Sequence, residues 1–144
     1  MSKYFKDYDE FKKIFSALFD KLLSHEKISP SLSKANMIVQ FQYTDPEAII
    51  TVNLKDSPSY CFGETNLKPD VIFKQSCDFS HSFWHGFENA IAALAKRKIT
   101  AKGDIPKALK LLPIIKPGFR LYPKVLEELG YQDKILKKDK IKFG

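Results

Sequence analysis

The apolar positions near the start of the chain recur with helical spacing. Phe11, Ile14, Phe15, Leu18, Phe19, Leu22 and Leu23 follow an i, i+3, i+4, i+7 rhythm, and Lys12, Lys13, Asp20 and Lys21 fall off it. The pattern predicts an amphipathic helix from Tyr8 to Ser24 with one buried stripe. Asp7 and Glu10 have capping-box spacing at its start, so each can satisfy a free amide of the first turn. Ile28-Ser29-Pro30-Ser31 then reads as a break.

The rhythm next changes to a period of two. Met37, Val39, Phe41 and Tyr43 alternate with Gln40 and Gln42, and Ala48, Ile50, Val52 and Leu54 alternate with Thr51 and Asn53. Tyr60 and Phe62 form a shorter strand, and Val71-Ile72-Phe73 a fourth. The turns are Asp45-Pro46, Asp56-Ser57-Pro58 and the stretch through Pro69. Short connections between such runs predict an antiparallel meander.

Helical spacing returns after residue 77. Asp78 is placed to cap a segment in which Phe83, Trp84, Phe87, Ala90, Ile91 and Leu94 share one side, and Gly86 lies where that segment divides most easily. Lys98 to Lys102 reads as a last strand. Asp104 is placed to cap a helix from Ile105 to Leu112, stopped by Pro113 and Pro117. Pro123 opens a final helix through Leu129, closed by Gly130. Strands followed by helices, with a further helix in front, make the fold class α+β: about five mostly antiparallel strands covered by helices.

Composition narrows the setting. The 144 residues suit one domain over residues 1–132, followed by a basic tail over 133–144 that is expected to fray. Hydrophobic residues make up 44% and charged residues 28%, which excludes a disordered or collagen-like chain. Twelve Phe, six Tyr and one Trp are enough to fill a core and line a pocket. No apolar run reaches the roughly 18 residues of a membrane span, and the first fifteen residues lack a signal peptide's apolar stretch. A cytoplasmic protein is expected, with Cys61 and Cys77 as free buried thiols.

Catalytic motifs do not emerge. His81 and His85 sit at i, i+4, but Ser82 stands where a zinc-protease helix has its Glu, and two ligands do not complete a zinc site. The two imidazoles read as half-exposed flanks of an apolar stripe. Cys77, Asp78 and His81 have the spacing of a local helix cap rather than of a nucleophile and its base. There is no nucleophile elbow, and the six glycines stand singly, which leaves no phosphate-cradling loop. Of the net charge of +7, the tail supplies +3. Arg97 and Arg120 are the only arginines, and elsewhere the lysines are interleaved with acids, so no nucleic-acid partner is expected.

From about residue 35 to residue 112 the chain resembles the sterol carrier protein 2 family. The resemblance rests on Lys68-Pro69-Asp70-Val71-Ile72-Phe73, the helical stretch through Gly86, Lys98-Ile99-Thr100-Ala101-Lys102-Gly103-Asp104, and the helix of Lys107-Ala108-Leu109-Lys110-Leu111. Arg97 departs from it, because the family usually has Gly before this Lys. The resemblance implies a sheet roofed by helices, with a hydrophobic tunnel that takes sterols, fatty acyl groups or other lipids. It implies no catalytic residues and no obligatory cofactor.

On that footing Val52, Phe62, Phe73, Phe83, Trp84, Phe87, Ile91, Leu109, Leu112 and Phe119 are the candidate lipid-binding residues, with Ile114 and Ile115 as further apolar mass. The Pro113–Pro123 segment is the candidate lid. The expected activity is that of a non-catalytic lipid carrier, a monomer or weak dimer with an apolar small molecule as partner. A second reading makes the apolar groove a dock for a partner protein or enzyme. A third is a small enzyme using His81, His85 or Cys77. The tail reads first as a solvated end and second as a transient contact with anionic membranes or an acyl-CoA phosphate.

Overall fold

The long first stripe folds as expected. In the computed structural model, which describes residues 2–137, helix α1 runs Tyr8–Ser24 and buries Phe11, Ile14, Phe15, Leu18, Phe19 and Leu22. The Asp7 carboxylate accepts from the Glu10 amide at 2.9 Å, and the Glu10 carboxylate accepts from the Lys6 amide at 3.0 Å. Replacing Asp7 with Ala is expected to cost about 1 kcal/mol in urea unfolding, the usual loss of an N-cap. The break after α1 contains one short helix, α2 (Ile28–Ser33), which buries Ile28 and Leu32.

Five strands follow: β1 (Ile38–Thr44), β2 (Ala48–Asn53), β3 (Ser59–Phe62), β4 (Val71–Ser76) and β5 (Thr100–Gly103). Their spatial order is β3-β2-β1-β4-β5. The meander therefore ends at β3. Strand β4 returns to the far side of β1 and pairs with it in parallel, Phe41 opposite Phe73. Every other pairing is antiparallel. The return is pinned by Asp70, whose carboxylate accepts from the Ile38 amide at 2.8 Å, while its own amide donates to the Ile38 carbonyl at 2.8 Å. Gly103 is required where β5 leaves the sheet. It has φ +104°, and a Cβ there would collide with the Asp70 carbonyl.

One sheet face carries Val39, Phe41, Tyr43, Ile50, Val52, Phe73 and Gln75 toward the helices. The other carries a polar row between Ile38, Ile49 and Ile72: Gln42 Nε2 donates to Gln40 Oε1 at 2.8 Å, and Gln40 Nε2 to Thr51 Oγ1 at 3.0 Å. This is the one-sided pattern of an antiparallel sheet with a single covered face.

The covering helices are short. Helix α3 (Cys77–Trp84) is capped by Ser76, whose hydroxyl accepts from the Phe79 amide at 3.0 Å. Asp78, expected as that cap, instead ties down the chain's start, accepting from Ser2 Oγ at 2.6 Å and from the Lys3 amide at 2.7 Å. Gly86, at φ +80°, separates α3 from α4 (Ala90–Ala95). Helix α5 (Ile105–Leu109) is capped by Asp104, and α6 spans Leu112–Ile115. The single helix expected through Leu112 is divided because Pro113 has no N–H to donate to the Leu109 carbonyl; the residue sits in the first turn of α6 instead. A 3₁₀ turn (Lys116–Arg120) leads into α7 (Leu121–Glu128), which lies along α1 and buries Tyr122, Val125 and Leu126.

The described part of the basic tail is anchored. Lys134 Nζ donates to the Tyr4 carbonyl at 2.6 Å and pairs with Glu10 at 3.0 Å. Residues 138–144, the rest of the expected tail, lie outside the described residues.

Candidate functional site

Between the inward sheet face and the helices lies an apolar cavity of about 100 Å³. Val39, Phe41, Val52 and Phe73 form its floor. Phe19, Leu22 and Leu23 of α1 close one side, and Phe79, Phe83 and Trp84 of α3 another. Ala108, Leu109, Leu112 and Ile115 of α5 and α6 complete the roof, and Ala90 and Ile99 also line the cavity. Gln75 is the one polar side chain on this wall among the described residues; its Nε2 donates to Ser80 Oγ at 2.9 Å. No charged side chain lines the cavity among the described residues.

Of the ten candidate residues, Val52, Phe73, Phe83, Trp84, Leu109 and Leu112 come together here. The other four lie elsewhere. Phe119 stands behind the wall, edge-on to Phe83 and Trp84 at 5.3 and 5.8 Å. Phe62 ends the edge strand β3, edge-on to Tyr8 and Tyr60. Phe87 and Ile91 are 40% and 59% exposed. The positive φ of Gly86 turns the chain between α3 and α4, so the side shared in an unbroken helix is not shared in the folded chain.

Phe41, Ile99 and Gln75 line the cavity in addition to the ten candidates. Phe41 was legible as inward-facing on its strand, but its place beside Phe73 follows from the parallel β1–β4 pairing, which the pattern did not reveal. Gln75 lies two residues past the end expected for β4 and keeps the inward phase of Phe73.

The titratable cluster lies apart from the cavity. His81 is fully buried, not half-exposed. Its Nε2 donates to the Lys134 carbonyl at 2.8 Å, and its Nδ1 accepts from the Tyr122 hydroxyl at 2.7 Å. The ring stacks on Tyr4, with centroids 4.3 Å apart. Burial, then the neighbouring His85, pushes its pKa down to about 4. His85 Nδ1 donates to the His81 carbonyl at 2.7 Å, and its Nε2 accepts from the Leu136 amide at 3.0 Å. All four imidazole nitrogens are thus engaged by protein groups. Cys77 is buried, with Sγ 3.2 Å from the Pro46 carbonyl. Burial and the nearby Asp78 carboxylate push its thiol well up, away from the thiolate a nucleophile needs. Cys61 is half-buried, not buried, because β3 is an edge strand.

Residues 15–116 match the SCP-2 sterol transfer family. The chain belongs to that family. No curated protein sequence matches it. Among solved structures, Sterol Carrier Protein 2 from Yarrowia lipolytica in its apo form has a TM-score of 0.61 at 23% identity, over 73% of this chain and 88% of that one. The sterol carrier protein domain 2 of Helicoverpa armigera has 0.62 at 21% identity, over 75% and 89%. Sterol Carrier Protein-2 of Aedes aegypti, solved in complex with palmitate, has 0.53 at 18% identity, over 72% and 94%. At these identities the likeness is one of fold: a five-stranded, mostly antiparallel sheet under short helices. Among the described residues no helix is long and apolar enough to cross a membrane.

Proposed function

We propose that this chain is a non-catalytic lipid carrier that holds the alkyl part of a fatty acyl, sterol or similar apolar ligand between the sheet and α3, α5 and α6. The observation that carries this reading is the wall itself, apolar but for Gln75. Such a surface recognises a ligand by burial, at about 0.8 kcal/mol per methylene. The Aedes aegypti family member with palmitate supports the same ligand chemistry.

The cavity of about 100 Å³ is well below the roughly 300–1,000 Å³ of a preformed ligand site. Uptake therefore requires the roof to move outward. Helix α6 buries no residue and α5 buries only Ala108, whereas α1 buries six. The roof has the least apolar contact to lose, so opening falls on α5 and α6, and on the Pro113–Pro123 lid where it includes α6. An ionised carboxylate has no counter-charge on the wall, so a fatty acid enters tail first and leaves its head at the mouth.

Gln75 is the side-chain partner for any ligand that carries a neutral hydroxyl or ester inward. Gln75→Leu is expected to weaken binding of a long-chain alkanol about five-fold, the worth of one net hydrogen bond, and to leave a fatty acid's affinity unchanged. Parallel titrations of the two ligands check it.

Trp84 is the only tryptophan and forms part of the wall. Titrating fatty acids, alkanols and sterols against its fluorescence tests the proposal. A saturable one-to-one response to at least one class is expected. Silence toward all three would overturn the carrier reading in favour of a groove for a protein partner. A cytoplasmic setting accords with the two free thiols.

A further inference from the structure

Helix α4 has the sequence AIAALA, without one polar side chain, yet it buries only Ala93. A helix apolar all round ordinarily lies inside a protein or against lipid. Here Ile91, Ala92 and Ala95 face solvent, and Phe87 projects from the turn just before. Phe87 and Ile91 are the exposed large hydrophobics among the described residues.

The flanking segments are basic. Lys96, Arg97 and Lys98 follow α4 directly and are all exposed. The 3₁₀ turn that sets Phe119 against Gly86 contributes exposed Lys116 and Arg120. The one acid within the segment is Glu88, 3.9 Å from Lys98 Nζ. We infer that α4 and its basic border dock on the surface of an anionic phospholipid bilayer. Phe87 and Ile91 enter the boundary between headgroups and acyl chains, and the lysines and arginines meet the lipid phosphates and carboxylates. The charge balance favours a lipid surface over an apolar protein groove, which offers no anions to this basic border.

The place of the surface gives it a purpose, which rests on the carrier reading. Ala90 and Ile99, at the two ends of the exposed segment, line the cavity. A docked molecule would bring this wall of the cavity to the bilayer, so that an alkyl chain passes between membrane and cavity with little exposure to water. Docking itself needs no bound ligand.

The test is sedimentation of the ligand-free chain with vesicles of phosphatidylcholine alone or mixed with phosphatidylserine. Binding is expected only to the mixed vesicles. Lys96→Gln, Arg97→Gln and Lys98→Gln together should weaken it about 100-fold, at roughly five-fold per charge. Phe87→Ser with Ile91→Ser should weaken it about ten-fold or more at unchanged charge. The charge-matched triple Lys6→Gln, Lys55→Gln and Lys124→Gln should change it less than about five-fold. The inference is overturned if wild type does not bind the mixed vesicles, if the matched triple loses as much as the 96–98 triple, or if the apolar pair has no effect. Trp84 titration of the 96–98 triple with a fatty acid separates the two readings. Failed docking leaves that response intact, whereas a wrong carrier reading removes it and leaves sedimentation in place.

Discussion

Ala108→Phe is expected to abolish ligand uptake while leaving the chain folded. Ala108 is buried on the cavity side of α5. A phenyl ring there occupies a volume comparable with the whole cavity of about 100 Å³. Excluding only four methylenes of a ligand forfeits about 3 kcal/mol, more than a hundredfold in affinity. The fold suffers less. Inserted bulk ordinarily costs about 1–3 kcal/mol, and here part of the ring enters existing empty space. Fluorescence titration of Trp84 reads the affinity and thermal unfolding reads the fold. An unchanged affinity in a folded variant would place the ligand outside this cavity.

Acid is expected to begin destabilising the protein above the range where carboxylates titrate, and His81 is the cause. The folded state holds a neutral imidazole because the ring is fully buried beside His85. Protonation would place a charge in a fully buried site beside a second imidazole. The folded pKa of about 4 lies below the unfolded value of 6.5. Between these values the unfolded chain binds more protons, so stability falls as pH drops through that window and levels off below it. A gap of this size corresponds to about 3 kcal/mol. His85, also lowered chiefly by burial, adds in the same direction. Glu10 acts later. Burial raises its pKa, but the Lys6 amide and the Lys134 ammonium outweigh that and hold it below 4.5, so its contribution is lost only as pH falls below that value. Urea unfolding at neutral pH and near pH 4 should show the drop. His81→Gln should be less stable at neutral pH and lose most of the drop; an unchanged acid limb in that variant would remove His81 as the cause.

Local signals were the legible part of this fold. Helix α1 and its cap followed from one stripe and the Asp7–Glu10 spacing, and the short turns marked β1 to β3. The partner of β4 was not legible, because the period-2 pattern says which side chains share a face and nothing about which strand lies alongside. The same gap concealed Phe41 as a cavity neighbour of Phe73. The burial of His81 is hidden from the local pattern for a related reason. Its burial comes from residues far away in sequence: Tyr4, Tyr122 and Lys134 enclose it from three separate segments. Phe87 and Ile91 were grouped with the apolar stripe because the turn at Gly86 takes effect only in three dimensions. The apolar wall was half legible. Phe73 and Val52 stood out on their strands, and Leu109 and Leu112 on the helical stretch after Asp104. Whether such residues meet as solid core or leave a cavity depends on how short helices lie across a sheet, which no local pattern encodes.

The most direct measurement is an isotope-filtered nuclear Overhauser experiment with a ¹³C-labelled long-chain fatty acid on the unlabelled protein. The account expects contacts from the acyl methylenes to the methyl groups of Val52, Leu109 and Leu112 and to the Trp84 ring. Contacts confined to Phe87 and Ile91, or none at saturating ligand, would contradict a ligand held between the sheet and its roof.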